Sequence, residues 1–330
     1  MKGRLEHELQ TLNKVKRTLE TLPSYVTDYY YSIQGSSEPS TLNEYIQKIK
    51  VFLEFIQVDI SQATATDAGR FIEKIKHTTN SDGTIRETSF SYRRRYWTIL
   101  NGFFSFLARK GIIKENLLAE TKLKKGKDQI VRPALSMDDL NTILKAVKTG
   151  AGSSQAKTYQ EKWKERDLLI LFLFMNTGMR RTALSEINIE DISFEDKKFT
   201  VIDKRHTEQK YDLTEEIENA VLAWLKKREE LLNGIQCDAL FISTKRQRLS
   251  SKSIERLVKK YSKEALGFEI SPHKLRAAFI TNYYEESGND LQATCQAVGH
   301  ADVSTTSRYI TRKNNSRTEA MNFMSKNLKI

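Results

Sequence analysis

The chain has 330 residues, 39% hydrophobic and 29% charged, with a net charge of +12. That length suits two domains better than one, because single cores stop growing at roughly 250–300 residues. Composition argues against a membrane span, since no window approaches ~18 uninterrupted apolar residues; against a disulfide scaffold, with two cysteines and no Cys-x-x-Cys pair; and against a metal site, since five histidines form no metal-spaced cluster.

The excess of Lys and Arg runs along the whole chain and points to a polyanionic partner, nucleic acid ahead of a merely basic surface. The opening MKGRLEHELQ has no apolar stretch after its first charges, so no secretory leader is expected. A soluble protein of the reducing cytoplasm is the simplest setting, nucleoid-associated if bacterial.

Residues 1–33 read as an extra N-terminal helical segment, with Leu5, Leu9, Leu12, Val15 and Leu19 recurring every three or four positions. QGSSEPS at 34–40 breaks it. STLNEYIQKIKVFLEFI starts on a Ser-x-x-Asn cap-like pattern and puts Ile46, Ile49, Leu53 and Ile56 on one face. The next helix is predicted in TATDAGRFIEKIKHT, starting near Thr66 or Asp67, and NSDGTIRETS at 80–89 reads as a loop. A long helix follows, striped by Trp97, Leu100, Phe104 and Leu107 and stopped by Gly111. At its start Arg93, Arg94 and Arg95 alternate with aromatics. That run suits a helix on DNA phosphates, and equally the solvated face of an amphipathic helix.

TKLKKGKDQIVRP at 121–133 is basic and without periodicity, as interdomain linkers are. With Lys122, Lys124 and Lys125 it also has the charge to follow a phosphate backbone. The expected organisation is a helical N-terminal domain over 1–125, a linker over 126–133, a second domain over 134–312 and a tail over 313–330.

The second domain opens on SMDDLNTILKAV, a capping-box start. SSQAKTYQEKWKERDLLILFLFMNTG reads as a polar loop and then a buried helix. KFTVI and KYDL flank a polar turn and predict a β-hairpin. Helices follow in EEIENAVLAWLKKREELL, SSKSIERLVKKYSKEAL, HKLRAAFITNYYEESG and DLQATCQAVGH. The fold class is mainly α with a small antiparallel β-sheet.

Four segments of this domain carry chemistry. NTGMRRTALSEI puts Arg180 near a helix start, and its guanidinium is a rigid fork of donors for phosphate oxygens. In VIDKRHTEQKYDL, Lys204 lies at the hairpin turn. In SPHKLRAAFITNYYEESG, His273 and Arg276 are three apart on one helical face and can converge on one anion. VGHADVSTTSRYI joins His300 to Tyr309, nine residues on. Each segment alone has an ordinary structural reading.

Together, in this order and spacing, TGMR, Lys204, HKLR, GH and Tyr309 resemble the tyrosine recombinase (phage-type integrase) family over roughly 135–312. The resemblance implies a helical core-binding domain and a mixed α/β catalytic domain that clamp DNA in a C shape. It implies that Arg180 and Arg276 hold the scissile phosphate while Tyr309 attacks it to give a 3′-phosphotyrosine. His273 is then the general base, Lys204 the general acid to the departing 5′-oxygen, and His300 a hydrogen-bond donor to a nonbridging oxygen. A phenol of pKa ~10 needs such help at neutral pH. The covalent link preserves the bond energy, so rejoining needs no ATP, and the arginines supply the charge a metal would bring, so no cofactor or metal is expected.

The implied partners are double-stranded DNA with inverted-repeat core sites, further copies of the chain in a tetramer, and optionally an accessory DNA-bending factor; no membrane partner is implied. Three departures from the family pattern stand out. Ala183 replaces the usual acidic residue, Ala277 replaces an imidazole, and Asp203 and Arg205 replace glycines beside Lys204.

In the tail, Met321, Met324 and Leu328 can share a face, either docked on a neighbouring protomer, as the resemblance implies, or packed in cis. A type IB topoisomerase-like nicking-rejoining enzyme and a DNA-binding protein without catalysis are the alternatives to a recombinase. Mobile-element movement and Xer-like chromosome-dimer resolution are the alternative roles.

Overall fold

The computed structural model describes residues 2–79, 83–121, 123, 134–202, 207–299 and 306–307. They form two compact units, Met1–Ile130 and Val131–Ile330. Both are mainly helical, and each carries one small antiparallel sheet. Among the described residues no helix is long and apolar enough to cross a membrane.

In the first unit α1 (Lys2–Leu19) and α2 (Ser24–Gln34) are separate helices, where the apolar periodicity predicts one segment over 1–33. Pro23 makes the break: it lacks an amide proton, disfavours helix at the residue before it, and caps α2 with φ −58° and ψ 150°. Helix α3 (Pro39–Ile56) starts ahead of the expected Ser-x-x-Asn cap, because proline's fixed φ suits the first helical turn. Helix α4 (Ala65–Lys74) also starts earlier than expected, on a capping box between Thr64 and Asp67.

Part of the expected 80–89 loop is strand, since β2 (Ile85–Glu87) pairs antiparallel with β1 (His77–Thr79). Thr78, Thr79 and Ile85 supply the β-branched residues of this pair. Helix α5 (Phe90–Arg109) ends two residues before Gly111, whose φ is +70°. Phe52 meets Phe71 and Phe104 edge-on at 5.2 and 5.1 Å in the centre of this unit.

In the second unit Ser136 and Asp139 form the predicted capping box of α6 (Met137–Thr149). The stretch expected as a polar loop contains α7 (Ser154–Glu161), which buries little besides Gln160. Its polarity hid it. The Gln160 amide exchanges hydrogen bonds with the backbone of Ala151, at 3.1 and 2.7 Å, and so ties the helix down.

Helix α8 (Lys164–Thr177) is the core. Leu169, Ile170, Leu171, Leu173 and Phe174 are buried around its circumference. It packs against α6, α10 (Glu215–Leu232) and α12 (Pro272–Glu286). A helix apolar on all sides can only sit inside other elements. After α9 (Arg181–Glu186) comes a three-stranded sheet in the order β3-β4-β5, with β3 at Ile192–Ser193, β4 at Lys198–Ile202 and β5 at Glu208–Asp212. The β4–β5 pair is the predicted hairpin, and β3 is a strand the sequence did not announce. Helices α11 (Ser251–Leu266) and α13 (Leu291–Ala297) complete the unit.

Candidate active site

The end of α8 sets the site. Gly178 closes the helix in the left-handed region at φ +57°, and its amide donates to the Phe174 carbonyl at 3.0 Å. A Cβ there would lie 2.6 Å from Cδ1 of Phe279, so both conformation and space call for glycine. The sharp exit leaves Arg180, half-buried, as the N-terminal flanking residue of α9.

The carbonyl of Gly178 accepts from Nη1 of Arg276, and the Val298 carbonyl accepts from its Nη2 at 3.2 Å. Arg276 is only 3% exposed. Two backbone carbonyls therefore fix a guanidinium that arrives on α12, so its planar fork is oriented before any ligand binds. One turn earlier on α12, His273 stands at the mouth of the same cleft.

The cleft has a volume of about 500 Å³, and Arg180, Arg181, Glu255, His273 and Arg276 all line it. Sequence spacing predicted that His273 and Arg276 share a face, and they do. Partial desolvation, then the positive charges of Arg276 and Arg180, hold the His273 pKa below the ordinary imidazole value. The residue as a whole is exposed, so the two guanidiniums matter as well as burial. Three arginines beside one neutral imidazole make a pocket for an anion whose proton chemistry runs near neutral pH. Among the described residues no group of three or more His, Cys, Asp or Glu side chains is placed to hold a metal ion.

Sequence reasoning missed two residues placed near these arginines. The first is Tyr211 of β5. Burial pushes its phenol pKa up, while Arg276 and Arg180 pull it down, which puts this ring within the field of both guanidiniums. The hairpin register, Phe199 opposite Tyr211, is the signal that could have placed it inward. The second is Glu255 of α11, which pairs with Arg181 and lies 3.2 Å from Lys259 Nζ. Nothing local in the sequence marks it. It brings to the cleft the carboxylate that Ala183, 3% exposed, does not.

Lys204, His300 and Tyr309 lie outside the described residues, as do Lys122, Lys124, Lys125 and the 313–330 tail. In the first unit Arg93 donates to Glu87 Oε1 at 2.7 Å and to the Thr88 carbonyl at 2.9 Å. Arg95 forks onto the carboxylate of Glu44 at 2.8 to 3.2 Å. Arg94 is exposed and makes no ion pair among the described residues.

The phage integrase family model matches residues 133–316. Tyrosine recombinase XerC of Alcanivorax borkumensis is 30% identical over 217 residues, 66% of this chain and 67% of that protein. Tyrosine recombinase XerC of Caldanaerobacter subterraneus subsp. tengcongensis is 28% identical over 317 residues, 89% of this chain and 84% of that protein. Among solved structures, a lambda integrase (75–356) dimer bound to a COC′ core site matches with a TM-score of 0.64 at 19% identity, covering 89% of this chain and 97% of that one. The XerH recombinase bound to a palindromic difH substrate, a post-cleavage complex, matches with a TM-score of 0.67 at 18% identity, over 96% of this chain and 89% of that one. With the family model spanning more than half its length and the arginine-lined cleft inside the matched region, the chain belongs to the phage integrase family of tyrosine recombinases.

Proposed function

We propose that this site-specific DNA recombinase cuts and rejoins strands through a covalent bond between Tyr309 and a DNA 3′-phosphate. The observation that carries this reading is the convergence of Arg180, His273 and Arg276 on one cleft, with Arg276 already oriented by the carbonyls of Gly178 and Val298.

In this mechanism the phosphorus of the scissile diester gains negative charge on its nonbridging oxygens, and the two guanidiniums meet that charge. His273, neutral at physiological pH, takes the proton of Tyr309. The phenolate oxygen forms a bond to phosphorus as the bond to the 5′-oxygen breaks, and Lys204 protonates that oxygen. His300 donates to a nonbridging oxygen. Rejoining reverses these steps with a 5′-hydroxyl of the partner strand, so neither ATP nor a metal enters.

The substrate is double-stranded DNA with inverted-repeat core sites, bound by four copies joined through the 313–330 tail. The lambda integrase tetramer on a Holliday junction, with a TM-score of 0.62 at 19% identity, has the same fold. The proposed setting is movement of a mobile element. The two XerC relatives favour an Xer-like role as the second reading. Selecting bound sites from random DNA and matching them to the flanking genome separates the two.

A nicked suicide substrate tests the chemistry. Wild type should trap a covalent adduct and Tyr309→Phe should not. An adduct that persists in Tyr309→Phe and disappears in Tyr211→Phe would move the nucleophile to β5.

A further inference from the structure

The inward face of β5 carries two polar side chains that the chemistry above leaves unused. The ladder sets Gln209 opposite Val201 and Tyr211 opposite Phe199, and Val201 and Phe199 are both buried. Directly paired residues of an antiparallel ladder share a face, so Gln209 and Tyr211 point inward. Tyr211 stacks on Phe199, 5.2 Å between centroids and 18° between planes. Its hydroxyl donates to Gln209 Oε1 at 2.8 Å. Gln209 Nε2 then donates to the carbonyl of Gly299 at 3.3 Å.

The chemistry of the partners fixes the orientation of that amide. A backbone carbonyl only accepts, so the NH2 end must face Gly299, which leaves the oxygen for the phenol. On the other side Arg276 holds the carbonyl of Val298. Two successive carbonyls are thus gripped by two different elements, β5 and α12. Gly299 permits the close approach: its φ is +62°, and a Cβ there would overlap the Gln209 amide. The residue that follows is His300.

We propose that Gln209, oriented by Tyr211, is a positioning residue: it clips β5 to the Gly299 carbonyl and, with Arg276, fixes the two residues that precede His300 in the chain. The clip joins the hairpin to a segment 90 residues away, so one side chain couples the two. Its functional consequence rests on the recombinase mechanism proposed above; its structural content does not.

The test uses the full chain and three variants. Gln209→Ala removes the clip. Gln209→Glu keeps an acceptor for Tyr211 but has no donor for Gly299. Tyr211→Phe keeps the stacking and loses the hydroxyl. In hydrogen exchange without DNA, peptides spanning 207–213 and 296–300 should both exchange about fivefold faster in the two Gln209 variants, the equivalent of one modest hydrogen bond. Peptides of α10 should not change. Unchanged exchange in either of the two coupled peptides overturns the clip.

In single-turnover adduct formation at saturating DNA, Gln209→Ala should be roughly 10- to 100-fold slower, the scale of a small misplacement in an active site. DNA affinity should stay at the wild-type value, and adding Tyr211→Phe should cost nothing more, because the two act as one unit. An additive loss, or a loss confined to affinity, overturns the positioning role. If wild type forms no adduct the recombinase mechanism fails, and the exchange measurement still decides the clip by itself.

Discussion

Tyr261 of α11 donates its hydroxyl to the carboxylate of Asp167 on α8 across 2.8 Å, and both residues are fully buried. The same carboxylate accepts from Nε and Nη2 of Arg166 at 2.9 and 2.8 Å, and Lys260 stands 3.7 Å away. Arg166 reaches on to the Ile242 carbonyl at 2.8 Å. This polar network crosses the apolar core of the second unit. It fixes α8 against α11, and α8 ends at the glycine that sets Arg180 and Arg276.

Asp167→Asn keeps the volume and removes the charge, leaving the Arg166 guanidinium buried without its carboxylate. Breaking a buried pair in this way costs about 3–5 kcal/mol. Tyr261→Phe removes one hydrogen bond to a charged group, worth about 1.5–3 kcal/mol. Urea denaturation should rank the variants in that order. If Asp167→Asn unfolds at the wild-type midpoint, the network holds nothing.

Gly178→Ala tests the turn directly. A non-glycine residue in the left-handed region costs about 1–3 kcal/mol, and the added carbon also meets the Phe279 ring. Because the Gly178 carbonyl holds Arg276, the damage should reach function beyond what stability predicts. Adduct formation at saturating DNA should fall further than affinity does, and a Phe279→Ala second change should recover part of it. Recovery of none would assign the whole effect to backbone strain.

Much of this was legible in the chain. Arg180 at a helix start, His273 and Arg276 on one face, the β4–β5 hairpin and the Ser136 capping box all follow from spacing and side-chain chemistry. Pro23 splits the first helical segment against its apolar periodicity, because one missing amide outweighs several well-placed leucines. Helix α7 escaped notice because it buries almost nothing, so no apolar period marks it. Glu255 and Gln209 were not legible at all. Their roles depend on partners 74 and 90 positions away, and only the fold brings those together.

Among the described residues that line the cleft, Glu255 is the lone carboxylate. Its pairing with Lys259, opposed by partial burial and helped by Arg181, holds its pKa below the usual carboxylate range. At neutral pH it therefore stays charged and occupies both cations. Glu255→Gln should release them to phosphate. DNA should bind more tightly at low salt, and the plot of log affinity against log salt should steepen by about 0.9 for each further phosphate neutralised. Fluorescence anisotropy over a salt series reads this out, and an unchanged slope would show that Arg181 and Lys259 never reach DNA.

The depressed pKa of His273 makes a signed prediction about pH. Without DNA the folded protein keeps this imidazole neutral at pH values where the unfolded chain, with its ordinary value of 6.5, has begun to protonate. In that window the unfolded state binds more protons, so stability rises with pH just below 6.5 and falls as pH drops toward the folded pKa. His273→Gln should flatten this limb of the stability profile. Bound DNA reverses the local field, since a phosphate beside the ring favours its charged form and raises its pKa. The acid limb of adduct formation, followed from about pH 5 to 8, should therefore have its midpoint above the imidazole midpoint of the free protein. His273→Gln should slow adduct formation by roughly 10²–10⁴-fold and remove the limb. If the variant keeps the limb at the same midpoint, another group carries the proton from Tyr309.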